Sequence, residues 1–117
     1  MDKRELSRQY KENPPRMGVY MVRNLSNGKI LVDCGQNVQG RLNSCKFQLE
    51  HGSHTNRELQ ADFNLAGKEQ FSFEIVDSLE VTDSKANYSD DLKTLEMMWL
   101  EKLQPFGERG YNTRKKG

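Results

Sequence analysis

The 117-residue chain is short of cysteine, proline and tryptophan, with two, three and one of each, and no charge of one sign dominates, since the net charge is +1. Cys34 and Cys45 form no CxxC pair and no Cys/His cluster, so neither a disulfide framework nor a zinc site is expected, and both read as free thiols. No stretch approaches the roughly 20 apolar residues of a membrane span. Residues 1–15 lack the apolar segment of a secretory signal, so a cytoplasmic protein without a membrane partner is expected. Hydrophobic residues are 34% and charged residues 30% of the chain, and mean hydropathy is −0.91. That is polar, but five Phe and four Tyr in clustered positions suit a thin folded core in one small domain.

The charge is unevenly placed. Residues 1–51 carry +4, residues 52–105 carry −6 and residues 106–117 carry +3. Basic ends around an acidic middle suit a phosphate-binding surface beside a carboxylate-rich one, and they equally suit a solvated surface with charge blocks.

Asn13-Pro14-Pro15 separates an N-terminal extension (1–16, with a helix expected over 4–12) from the domain proper (17–112) and a basic tail (113–117). The β-rich Gly18–Arg23, the turn Ser26-Asn27-Gly28-Lys29 and the run Ile30-Leu31-Val32 predict a hairpin. Val38, Leu42, Cys45 and Leu49 recur at helical spacing after the candidate N-cap Asn37, and the helix should stop near His51-Gly52. Asn56 is the candidate cap of a second helix carrying Leu59, Phe63 and Ala66, closed by Gly67. Phe71, Phe73 and Ile75 alternate as in a strand. Residues 77–91 read as a long connection. Ser89 or Asp90 then opens a helix lined by Leu92, Leu95, Trp99 and Leu103, and Pro105 ends it. The expected class is α/β (α+β), a small, mainly antiparallel three-stranded sheet flanked by helices in the order β-β-α-α-β-α.

Glu96 stands out on this last helix. At about 100° per residue it falls roughly 20° outside the apolar arc, so its carboxylate is at least partly buried. Such a charge is costly unless it is paired or binds a metal; a boundary Glu reaching back to water fits the wheel equally. Arg41 flanks the stripe of the first helix and can face a phosphate or a surface carboxylate. Tyr20 reads as a sheet-face aromatic. His51 and His54 fall in a loop with no third metal-type residue at ligand spacing. Arg109, Arg114, Lys115 and Lys116 with Tyr111 can contact nucleic acid through charge and stacking, or stay solvated.

Five short motifs in order make a recognisable set. They are Gly18-Val19-Tyr20; Asn24 to Val32, which leads into a second motif; Asn37 to Leu42 with Arg41; Leu95 to Leu100 with Glu96; and Gly110-Tyr111-Asn112. This pattern resembles the GIY-YIG nuclease domain found in homing endonucleases and in the N-terminal part of an excinuclease component. The resemblance implies metal-dependent hydrolysis of phosphodiester bonds. Tyr20 would assist the attacking water or act as base, Arg41 would stabilise phosphate charge, Glu96 would hold Mg²⁺ or Mn²⁺, and Asn112 would support the site. It also implies nucleic acid as partner, DNA before RNA.

The chain departs from the family at three places. The second motif reads Leu31-Val32-Asp33, so a tyrosine hydroxyl is missing and a glycine is replaced by a charge. Asp33 then either adds a metal oxygen or blocks a phosphate. Cys45 stands where many members have a histidine, and a thiol is a poor general acid or base at neutral pH. The alternative expectation is a non-catalytic module on the same fold that binds nucleic acid or a protein.

Overall fold

The computed structural model describes residues 16–79 and 87–113. The expected N-terminal helix and the basic residues Arg114, Lys115 and Lys116 lie outside them.

Strand β1 (Met17–Asn24) is central, flanked by β2 (Ile30–Gly35) and β3 (Phe71–Leu79) in the order β2-β1-β3. Both pairings are antiparallel, with Tyr20 opposite Asp33 and Val22 opposite Leu31 on one side, and Tyr20 opposite Ile75 on the other. Val19, Tyr20, Met21 and Val22 are all buried, because the sheet is covered on both faces. One face carries Tyr20, Val22 and Leu31 beneath helices α1 (Val38–Glu50) and α2 (Arg57–Ala66). The other carries Val19, Met21, Ile30 and Val32 beneath Leu95, Trp99 and Leu103 of α3 (Ser89–Leu103). A strand between two helical layers has no solvent face, so its sequence is a continuous apolar run rather than an alternation.

The helix ends follow the expected caps. Asn37 accepts from the Gly40 backbone N–H and Asn56 from that of Leu59, each satisfying a donor that the first helical turn leaves free. Helix α3 begins at Ser89 with Asp90 and Asp91 in its first turn, where the helix dipole favours negative charge.

The expected connection over 77–91 is corrected at its start, because β3 continues through Asp77, Ser78 and Leu79. The polar composition hid a strand end lying at the sheet border. There Asp77 accepts a 3.0 Å bond from the Trp99 indole N–H and ties the strand to α3.

The outer edge of β2 is closed by the last described residues. Tyr111 N–H donates to the Ile30 carbonyl (2.8 Å), and Ile30 and Gly110 form a parallel bridge. The Asn112 carboxamide then mimics a neighbouring strand. It accepts from Val32 N–H at 2.8 Å and donates to the Val32 carbonyl at 2.7 Å. Gly110 is required at this crossing, since a Cβ there would run into the Pro105 carbonyl.

Tyr111 links two more elements. Its hydroxyl donates to Asp62 on α2 (2.7 Å) and accepts from Asn24 (3.0 Å) at the end of β1, where Asn24 is 1% exposed. The Tyr111 carbonyl accepts from the capping residue Asn56 (2.7 Å). Tyr111→Phe removes the acceptor of the buried Asn24 amide, and an unsatisfied buried donor costs about 1–3 kcal/mol. Urea denaturation of this variant should show a lower midpoint with an unchanged slope; an unchanged midpoint would contradict the assigned role.

Candidate functional site

The register of the hairpin sets the centre of the site. Because Tyr20 and Asp33 are cross-strand partners, their side chains leave the sheet on the same face and side by side. The Tyr20 hydroxyl donates to Asp33 Oδ2 at 3.2 Å. Arg41, in the first turns of α1, donates from Nη2 to the same oxygen at 3.1 Å. Its aliphatic stem crosses directly over Gly35, where a Cβ would collide with Arg41 Cγ. Asp33 also accepts from the backbone N–H of Cys34 at 2.8 Å, through Oδ1. Burial, reinforced by the Asp33 charge, pushes the Tyr20 hydroxyl far above the ordinary tyrosine range, so it stays protonated at neutral pH.

Cys45 follows Arg41 by one turn of α1 and is buried. Burial pushes its thiol up to about 11, so it is neither an acid nor a nucleophile at neutral pH. Its sulfur lies 3.4 Å from His54 Nε2. His54 comes from the loop between α1 and α2, held there by a backbone bond to Gln60 Oε1 (3.0 Å). Its Nδ1 accepts from the Asn56 backbone N–H at 3.0 Å. That bond places the hydrogen of the neutral ring on Nε2, facing Cys45. Burial lowers the His54 pKa, which favours this neutral ring.

Glu96 enters from the opposite face, on α3, half-buried as its wheel position implied. The Cys34 thiol lies beside it, and that thiol is pushed up to about 12 by burial and then by the Glu96 carboxylate. Asp33, Cys34 and Glu96 bring one ligand-type atom each to within 4.8 Å of one another. Two carboxylates at this separation suit a divalent cation, which takes one or two protein carboxylates and fills its remaining positions with water or phosphate.

Tyr20, Asp33, Arg41, His54, Glu96 and Asn112 thus line one open cleft of about 1060 Å³. Of the other positions singled out in the sequence, Leu31 is buried and contributes only hydrocarbon to the cleft wall, and Asn112 acts through the β2 backbone one residue before Asp33. Sequence reasoning placed His54 in a loop, which it is, but gave it no part in the site. Nor did it foresee Cys34 beside Glu96. His54 is brought in by the tight passage between two capped helices, and only the spacing from Leu49 to the Asn56 cap hinted at it.

No family model matches the chain, nor does any curated protein. Two solved structures do. The catalytic domain of the homing endonuclease I-TevI is 26% identical, with a TM-score of 0.66 over 85% of this chain and 99% of that one. A variant of the catalytic domain of the intron endonuclease I-TevI is 26% identical, with a TM-score of 0.65 over 83% of this chain and 92% of that one. The chain therefore has the GIY-YIG nuclease fold that its motifs resemble. Among the described residues no helix is long and apolar enough to cross a membrane.

The lowered His54 pKa has a consequence for stability. Below the ordinary histidine pKa the unfolded chain binds a proton that the folded chain refuses, so the unfolded state gains as pH falls toward the lowered value. Two groups face the ring from its neighbours. Cys45 on α1, its thiol pushed up by burial, stays neutral throughout that window. The negative charge of Asp33 on β2 opposes the effect of burial without reversing it. The wild-type urea midpoint should therefore fall on acidification through the histidine range more than that of His54→Gln; parallel profiles would contradict the buried neutral ring.

Proposed function

We propose that this domain is a divalent-cation-dependent endonuclease that hydrolyses phosphodiester bonds of nucleic acid, DNA in the first instance. The observation that carries this reading is the convergence of Tyr20, Arg41 and Glu96, from β1, α1 and α3, on one cleft. The likeness to the catalytic domain of a homing endonuclease supports it.

Each residue has a role that its hydrogen bonds permit. Tyr20 gives its hydrogen to Asp33, which leaves the phenolic oxygen free to accept from an attacking water, and Asp33 is the base toward which that proton moves. Arg41 spends one Nη2–H on Asp33 and keeps other donors of its guanidinium for phosphate oxygens. Glu96 is the cation ligand. A Mg²⁺ or Mn²⁺ ion held there supplies charge stabilisation at a phosphoryl oxygen and acidifies a water. His54 serves as a hydrogen-bond donor and not as a base, because its Nδ1 is committed to the Asn56 N–H.

One observation favours a second reading. Asp33 engages both Tyr20 and Arg41, so the two groups that would meet a phosphate already share an anion. A module that binds nucleic acid without cutting it fits this arrangement.

Supercoiled plasmid with Mn²⁺ separates the two readings. The endonuclease reading predicts nicking by the wild type, none by Glu96→Gln, and a loss of about 10²–10³ in rate for Arg41→Ala, the cost of removing one stabilising donor. Plasmid left intact by the wild type, with DNA binding that still weakens steeply with salt, establishes the binding module. In that case Arg41→Ala should reduce the salt slope by about 1.

A further inference from the structure

We propose that Cys34 is a metal ligand together with Asp33 and Glu96, and that this mixed oxygen and sulfur set selects a thiophilic divalent cation of the Zn²⁺ class over Mg²⁺. The inference rests on the reading of Glu96 as the cation ligand and adds to it the donor set and the preference of the site.

The placement of the three residues follows from the edge position of β2. Neighbouring residues of a strand point to opposite faces. Asp33 therefore leaves the face covered by α1, and Cys34 leaves the face covered by α3. In a central strand such a pair could not meet. Asp33 and Cys34 lie near the end of an edge strand, where Glu96 of α3 approaches, and their ligand-type atoms come within 4.8 Å of one another. Donors around a tetrahedral Zn²⁺ stand about 3.5 Å apart, given metal–oxygen and metal–sulfur bonds of about 2.0 and 2.3 Å. Small side-chain rotations close that gap.

The Cys34 sulfur and a Glu96 carboxylate oxygen face each other within that same 4.8 Å cluster. The thiol keeps its proton beside that carboxylate. When a cation enters the cluster, the S–H bond breaks, the proton goes to solvent, and a metal–sulfur bond forms, with the carboxylate still a ligand. Asp33 keeps capacity for this, since an ionised carboxylate offers about four lone-pair positions and its bonds to Tyr20, Arg41 and the Cys34 N–H leave one open. A thiolate discriminates sharply between cations. It favours Zn²⁺, Cd²⁺ and Co²⁺ and contributes little toward Mg²⁺. The search for paired cysteines in the sequence misses such a site, because its donors come from two adjacent residues and a distant helix.

Absorption titration of the full chain with Cd²⁺ and Co²⁺ tests the proposal, because a metal–thiolate bond adds a charge-transfer band in the ultraviolet that carboxylate binding does not. The band is expected in the wild type and in Cys45→Ser, and should be absent in Cys34→Ser and in Cys34→Ala. Zn²⁺ affinity should fall by about tenfold or more in Cys34→Ser and in Asp33→Asn, while Mn²⁺ affinity of Cys34→Ser stays within about threefold of the wild type. The Trp99 near-ultraviolet circular dichroism reports whether each variant is folded, and Cys34→Ala serves if Cys34→Ser is not. A band that survives in the folded Cys34 variants, or one lost in Cys45→Ser, overturns the assignment. Mn²⁺ binding that depends on Glu96, with no thiolate band for any cation, overturns the role of Cys34 and leaves the reading of Glu96 standing. No binding of any cation overturns both.

Discussion

An edge strand has a row of backbone N–H and C=O groups with no neighbour, and the rest of this fold depends on how β2 satisfies them. The answer is a segment from the far end of the domain. Tyr111 pairs with Ile30, and the Asn112 carboxamide bonds both polar groups of Val32. Each bond contributes modestly, about 1 kcal/mol, but leaving the groups unpaired and half-buried would cost more. Closing the edge also fixes position. Asn112 holds the backbone of Val32, and Asp33 and Cys34 follow immediately. Through its hydroxyl and carbonyl, Tyr111 sets the hairpin end at Asn24, the α2 residue Asp62 and the cap at Asn56. That cap in turn holds the loop carrying His54. One short segment thereby positions groups on both sides of the cleft.

The second constraint is the charge of Asp33. A negative carboxylate beside a buried tyrosine requires donors, and it takes them from Tyr20, Arg41 and the Cys34 N–H. The Arg41 and Asp33 side chains are 58% and 36% exposed, so their ion pair contributes little to stability, in the range of zero to about 1 kcal/mol. Its effect is on the potential of the cleft. Asp33 offsets the positive field that Arg41 would present to a phosphate, and it adds negative charge next to Glu96. On the proposed reading, Asp33 thus adds to the cation-binding character of the site.

Much of this was legible in the sequence wherever the signal is local. The hairpin, both asparagine caps and the apolar stripes of α1 to α3 depend on residues a few positions apart, and they stand where expected. The half-burial of Glu96 follows from its angle on the helix. The ordered motifs pointed to the fold even though identity with its structural relatives is only 26%. What escaped depends on distant contacts. The polar end of β3 gives no strand signal until Trp99 is seen to satisfy Asp77. His54 and Cys34 carry no spacing that links them to the site, because Cys45 and Glu96, their respective partners, lie on other elements. Asp33 was recognised as altered, but whether it feeds a cation or blocks a phosphate depends on Tyr20, Arg41 and Glu96 together, and no local pattern contains all of them.

On the proposed reading, Glu96 and the end of β2 make one cation site at the cleft. Paramagnetic broadening by substoichiometric Mn²⁺ in an isotope-labelled sample tests it without any choice of substrate. Selective loss of the backbone amide signals of Asp33, Cys34 and Glu96, then of Tyr20, is expected, with the far ends of α1 and α2 unaffected. Uniform broadening, or loss confined to acidic positions away from the cleft, would contradict it.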